Sequence, residues 1–284
     1  MKAIRRLVLG ICMLGLMASF AWIQNEKSNE TVALTQYTFR HHEIPAAFDG
    51  FQILLISDLH QAPFSGQILG HIRREKPDII AFTGDMVQLP DHALTETLEI
   101  AQGAGDIPMY AVSGNHETQG GAYGVIIRTL WDANIIPLDN DSVSLERGAD
   151  SILLLGVKDP ERDVVREEDV ERIRRQIESE FPGGPCFSIL LSHRADLYPY
   201  IKDTGVDLIL SGHLHGGIIR LPFIGGIIGR ERGGFFPNYT YGFFQEGDAA
   251  GMVVSGGCDK NPKKKRIWNP PEVVLVTLER GGEP

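Results

Sequence analysis

Five short apolar runs in this chain each end in a small residue followed by a side chain able to bind a metal. Ile53–Ile56 leads to Ser57, Asp58 and His60, and Ile79–Phe82 to Thr83, Gly84 and Asp85. Met109–Val112 leads to Ser113, Gly114, Asn115 and His116. Ile189–Leu191 leads to Ser192 and His193, and Leu208–Leu210 to Ser211, Gly212, His213 and His215. Runs of β-formers without polar alternation read as strands covered on both faces. Helical stretches at Ile68–Glu75 and Leu94–Ala101 lie between the early runs, so the pattern predicts an α/β fold. In such sheets ligands gather beyond the carboxyl ends of the strands, and all five polar clusters are expected there.

Asp58 and His60 are two residues apart, which on an extended strand end turns both side chains to the same side. Burying them is costly unless a cation offsets the lost hydration. One Asp-x-His carries little information; five clusters in this order, each after a buried-strand pattern, carry much more. SDLH at 57–60, TGD at 83–85, GNHE at 114–117, the isolated SH at 192–193 and GHLH at 212–215 resemble the signature blocks of the calcineurin-like metallophosphoesterases. GHLHGGIIRLPF and the late NPPEVVLVTL resemble the membrane-associated bacterial branch of YkuE/YaeI-type phosphodiesterases.

The resemblance implies a four-layer α/β/β/α sandwich of two mixed sheets and a metal-dependent hydrolase of phosphoric esters. It also implies two divalent metal ions. Asp58, His60 and His215 would hold the first, Asn115, His193 and His213 the second, with Asp85 between them. His116 would act on the substrate, protonating the leaving oxygen or stabilising charge. Imidazole mixed with carboxylate suits Mn, Fe, Zn, Co or Ni better than Mg or Ca. His41, His42, His71 and His92 have no partner pattern and read as surface or packed residues.

The N-terminus carries Lys2, Arg5 and Arg6, and then Leu7–Ile23 contains no charge. That run is at the short end for a membrane span and the long end for a signal-peptide core. Ser19 and Ala21 would suit a cleavage site. With the basic flank kept inside, the remainder lies outside the membrane. The organisation expected is an anchor or signal segment at 1–23, a tether at 24–36 and a catalytic domain at 37–280. The protein is thus expected at the cell membrane through a single N-terminal span, or exported after cleavage. Cys186 and Cys258 are too few for a disulfide framework, although one bridge between them is conceivable. Val164–Phe181 reads as a surface helix with Val165, Val170, Ile173 and Ile177 on one face.

A net charge of -10 argues against wrapping a long nucleic acid, whose affinity comes from Lys and Arg neutralising phosphates. Leu221–Phe244 mixes glycine with aromatic and aliphatic residues, and Arg220, Arg230 and Arg232 lie within or beside it. It reads either as a hairpin covering the core or as an apolar lip that meets a membrane or an acyl chain. Lys263, Lys264, Lys265 and Arg266 form a basic run, read as a solvated loop or a contact to anionic lipid. The partner expected is a phosphate-ester substrate, with lipid-linked esters the first reading and nucleotides or nucleic acid the alternative. A scaffold without catalysis is disfavoured, because it would be expected to have lost ligands.

Overall fold

Ile53 and Leu55 point to one side of their strand, Leu54 and Ile56 to the other, and all four are buried. A strand with apolar neighbours on both faces has no reason to alternate. In the computed structural model, the described residues are 10, 13, 15, 19–162, 164–181, 186–221, 223–228, 234–260 and 265–281. The strands begin with β1 (Ala33–His41), β2 (Gln52–Ile56), β3 (Ile79–Thr83), β4 (Met109–Val112) and β5 (Ile135–Pro137). Next come β6 (Asp141–Arg147), β7 (Asp150–Val157), β8 (Ser188–Arg194) and β9 (Leu208–Gly212). The last are β10 (Arg220–Leu221), β11 (Gly225–Gly226), β12 (Gly242–Phe244), β13 (Gly251–Val254) and β14 (Glu272–Arg280). The helices are α1 (Ser65–Glu75), α2 (Thr95–Ala104), α3 (Asn115–Thr118), α4 (Tyr123–Asp132), α5 (Glu167–Glu180) and α6 (Tyr198–Ile201).

Two six-stranded mixed sheets run in the orders β1-β14-β2-β3-β4-β5 and β12-β13-β9-β8-β7-β6. β2, β3, β4 and β5 are parallel in the first sheet, and β13, β9, β8 and β7 in the second. The sheets meet through Ile53, Leu55, Ile189, Leu191, Leu208 and Leu210. Ile68, Ile72, Ile100, Ile126 and Leu130 close the outer face of the first sheet, and Ile173, Ile177 and Tyr198 that of the second. The result is the expected four-layer sandwich. In α5, Ile173 and Ile177 are buried with Val170 partly buried against the same cluster, as the spacing predicts, whereas Val165 packs there from just before the helix, which begins at Glu167. Glu167, Glu168 and Asp169 fill its first turn, where the helix dipole favours negative charge.

The boundary expected at residue 37 falls inside β1, which pairs with β14 from Ala33 to His41. Order reaches further back still. The Asn25 side chain is buried, its amide donating to Arg266 O at 3.0 Å and its oxygen accepting from Trp268 N at 2.7 Å. The polar stretch read as a tether therefore packs on the domain. Most of the apolar run Leu7–Ile23 lies outside the described residues, as do Arg230, Arg232, Lys263 and Lys264. Among the described residues no helix is long and apolar enough to cross a membrane. Cys186 and Cys258 are both free thiols.

Candidate metal centre

The carboxyl ends of β2, β3 and β4 face those of β8 and β9, and the loops beyond them carry the singled-out residues. Asp58 and His60 do not sit on an extended strand end. β2 stops at Ile56, and both residues take left-handed backbone, with φ of 52° and 46°. Asp85, His213 and His215 do the same, at 52°, 77° and 49°. Such geometry costs roughly 1–2 kcal/mol per non-glycine residue, so five instances in one place indicate a site held by its surroundings. The loops brace each other: Asp58 N donates to Gly84 O and His60 N to Asp85 O, both at 3.0 Å. Gly114 permits a close approach. A Cβ there would fall on Asp85 Oδ1 and lie 2.9 Å from His193 Cε1.

Two groups of convergent donors result. Asp58, His60, Asp85 and His215 form one, Asp85, His193 and His213 the other, with the ligand atoms in each within 4.8 Å of one another. Asp85 belongs to both. Its Oδ2 lies 3.4 Å from His60 Nε2 and its Oδ1 3.5 Å from His193 Nε2. His215 Nε2 stands 3.4 Å from Asp58 Oδ1, and His60 Nε2 4.0 Å from the same oxygen. In the second group His213 Nδ1 is 3.0 Å and Asn115 Oδ1 3.2 Å from His193 Nε2. Donors about 2.1 Å from a shared ion lie roughly 3.0–3.4 Å apart when adjacent and up to about 4.2 Å when opposite, so these separations fit cation coordination. Asp58 Oδ1 adds a chemical test. It is buried and has no hydrogen-bond partner among the described residues, which suits an oxygen reserved for a cation.

Each ring is oriented by what its other nitrogen meets. His60 Nδ1 faces Val87 O at 3.2 Å and His193 Nδ1 faces Thr83 O at 2.7 Å, so both rings donate there and turn Nε2 inward. His215 Nδ1 donates to Asp259 Oδ1 at 2.8 Å. Burial opposes charge on Asp259, but His215 and Arg266 hold its carboxyl well below the usual range. Burial likewise opposes charge on His193, yet Asp85 outweighs it and lifts the ring to about 10. Burial, then His193 and Arg194, push His213 well below its ordinary value. The carboxylates are supported too. Glu117 accepts from Asp85 N and Gly114 N at 2.7 Å and from Val87 N at 2.9 Å. Burial and the Asp85 charge push Glu117 up to about 7, against three donors that favour its ionised form.

His116 lies at the rim of the first group, its ring 4.4 Å edge-on from that of His60. Leu89 N donates to His116 Nδ1 at 3.3 Å, which leaves the ring proton on Nε2, 3.9 Å from Asp85 Oδ2. The structure thus brings all eight singled-out residues together. His71 is engaged elsewhere, 2.9 Å from Val32 O, and His41 faces Asp207 at 3.9 Å, just before β9 and so at the opposite end of that strand.

Sequence reasoning missed Asp259, Asn269 and Arg194. Asp259 was within reach of the same rule: β13 runs into Ser255, Gly256 and Gly257, two residues before it. Asn269 Nδ2 donates to His215 O at 2.7 Å, a long-range contact with no local signal. Arg194 is wholly buried, pairs with Asp159 at 2.7 Å and reaches His213 Nε2 at 3.3 Å. Asparagine at position 259 keeps the shape but removes the charge behind His215. Metal affinity is expected to fall about 10- to 100-fold with the fold retained, read by metal competition titration and circular dichroism.

The calcineurin-like phosphoesterase family profile matches residues 51–217, which span the site from before Asp58 to beyond His215. The uncharacterized metallophosphoesterase YkuE of Bacillus subtilis (strain 168) is 29% identical over 266 residues, covering 87% of this chain and 86% of its own. The phosphodiesterase YaeI of Escherichia coli (strain K12) is 29% identical over 188 residues, covering 62% of this chain and 64% of its own. The crystal structure of TT1561 of Thermus thermophilus shares the fold at a TM-score of 0.50 with 13% identity, covering 73% of this chain and 90% of that one. A profile match over more than half the chain, on the residues that converge between the two sheets, makes this protein a member of the calcineurin-like phosphoesterase family, the metal-dependent hydrolases of phosphoesters.

Proposed function

We propose that the protein is a two-metal phosphodiesterase or pyrophosphatase working at the outer face of the membrane, with a lipid-linked ester as substrate. The sharing of Asp85 between two donor groups carries the two-ion reading. Asp58, His60 and His215 would hold one ion and Asn115, His193 and His213 the other, with Asp85 available to both. The donor set of imidazole and carboxylate favours Mn, Fe, Zn, Co or Ni. When bound, such ions supply Lewis acidity, lowering the pKa of water and offsetting charge on the phosphate oxygens.

The chain's own contribution is positional. Asp58 and Asp85 are buried between the sheets, so their charge acts where little water competes. The His116 Nε2–H, fixed by the Leu89 N–H on the opposite nitrogen, is placed to donate a hydrogen bond to the leaving oxygen and stabilise the charge that develops as its bond to phosphorus breaks. Support for a diester comes from YaeI, whose name is phosphodiesterase. Support for the membrane comes from Lys2, Arg5 and Arg6 preceding the uncharged Leu7–Ile23.

The test is metal content together with turnover. The purified full chain is expected to hold close to two divalent ions and to hydrolyse bis-p-nitrophenyl phosphate, losing activity to a chelator and regaining it with Mn or Zn. Lipid-linked diesters and pyrophosphates in mixed micelles are then compared with nucleotide diesters. One ion per chain would overturn the two-metal reading, and preference for nucleotides would overturn the lipid one.

A further inference from the structure

Large apolar side chains are exposed in four separate stretches that meet at one edge of the molecule. Phe223 and Ile224 form the tip of the β10–β11 hairpin, in which Arg220 pairs with Gly226 and Leu221 with Gly225. Phe235 and Phe236 follow, 74% and 61% exposed, tied back by Phe236 N donating to Ile227 O at 2.8 Å. Trp268 is the third stretch, and Phe20, Trp22 and Ile23 on the helical residues 19–28 are the fourth.

Hydrogen bonds join these stretches into one surface. Arg220 N donates to Ile267 O at 3.0 Å and Ile267 N to Ile218 O at 3.1 Å, so the hairpin continues into the segment bearing Trp268. Asn25 grips that segment from the other side, through Arg266 O and Trp268 N. Asn29 adds a bond to Arg266 O at 2.8 Å. The same surface borders the metal centre, since Asn269 Nδ2 donates both to His215 O at 2.7 Å and to Ile218 O at 3.3 Å. Phe223 is eight residues beyond His215, so the tip lies no more than about 28 Å from that ligand.

We propose that this edge docks on a lipid bilayer by apolar contact and holds the mouth of the metal centre at headgroup level. The proposal rests on the membrane reading above and adds the face that meets the membrane. The end of the uncharged run selects the occupant. Trp22 and Ile23 close that run two residues before Asn25, so a run entering a bilayer brings Trp268 and the hairpin tip to its surface. Tryptophan favours that depth, where its ring is apolar and its N–H meets water. Local charge decides the mode. Lys265 pairs with Glu26 at 3.1 Å and sits 5.2 Å over the Trp22 ring, and Lys260 pairs with Glu30. Among the described residues these two cations are thus matched within the chain, which leaves the apolar side chains to make the contact.

Brominated acyl chains quench only tryptophans that reach them, and this chain has three: Trp22, Trp131 and Trp268. Trp131 is the internal control. It is exposed on the last turn of α4, which returns the chain from the end of β4 to the start of parallel β5, away from the metal centre. The full chain is reconstituted in phosphatidylcholine vesicles with and without brominated lipid. With Trp22→Phe and Trp131→Phe, emission of Trp268 is expected to fall by about half and to stay quenched in about 1 M NaCl, where the Debye length is about 3 Å. With Trp22→Phe and Trp268→Phe, emission of Trp131 is expected not to change. Adding Phe223→Glu and Phe236→Glu should release Trp268 from quenching, with turnover of a soluble diester measured alongside as a check on folding. Equal responses from Trp268 and Trp131 would overturn the proposal. So would quenching that needs anionic lipid and low salt, or a Trp268 shielded by a second copy in a sedimenting dimer. Failure of the phosphoesterase reading would look different, as absent turnover of the soluble ester whatever the quenching.

Discussion

Asp85→Asn is expected to leave a folded protein that retains little metal and hydrolyses bis-p-nitrophenyl phosphate about 10³-fold more slowly or worse. The carboxylate turns one oxygen toward His60 and the other toward His193, at 3.4 and 3.5 Å. An amide replaces one of those oxygens with an NH2 group that cannot donate electrons to a cation, and it removes the negative charge shared by the two donor groups. Burial disfavours charge on Asp85, and His193 leads the neighbours that nonetheless hold its carboxyl well below the ordinary range. Their interaction is with the charge, which asparagine lacks. The substitution is nearly isosteric, and His116 N still finds an acceptor in the amide oxygen where it now meets Oδ1 at 2.9 Å. Elemental analysis and thermal melting, measured together, separate loss of metal from loss of fold. Full metal content with full rate in this variant would remove Asp85 from the centre.

His116→Ala is expected to keep its metal and lose about 10²- to 10⁴-fold in rate, the range for a positioned proton donor. Its ring belongs to neither donor group, and its nearest atom to Asp85 Oδ2 is an Nε2 that carries a proton rather than a lone pair. Truncation opens space at the rim of the site without removing a ligand. The contrast with Asp85→Asn is therefore in metal content: both variants are slow, but only one is empty. Loss of metal in His116→Ala would make His116 a ligand and refute the assigned role.

Much of this is legible in the sequence. Ile53–Ile56 and Leu208–Leu210 lack alternation because each strand has a core on either side, and their sequence states that directly. The α5 stripe was equally plain, since Ile173 and Ile177 are one turn apart. The five polar clusters converge as expected. Asp58 and His60 are the exception, because left-handed turns after β2, rather than the pleat of a strand, bring them together. The left-handed region disfavours every residue but glycine, and although Asp and His tolerate it better than most, nothing in the local sequence announces that conformation.

The sequence by itself determined the α/β alternation, the residues at the strand ends and the chemistry those residues support, because periodicity and side-chain type are local properties of the chain. Only the tertiary structure decided which neighbours aim the donors that converge on Asp85. Asp259 meets His215 from 44 residues away and Arg194 meets His213 across two strands. It alone also decided that Asn25 fastens the N-terminal helix beside Trp268, 243 residues later. Contacts of that separation leave no periodic trace, since they depend on how two sheets and their crossing loops pack, and packing is set by the whole chain at once.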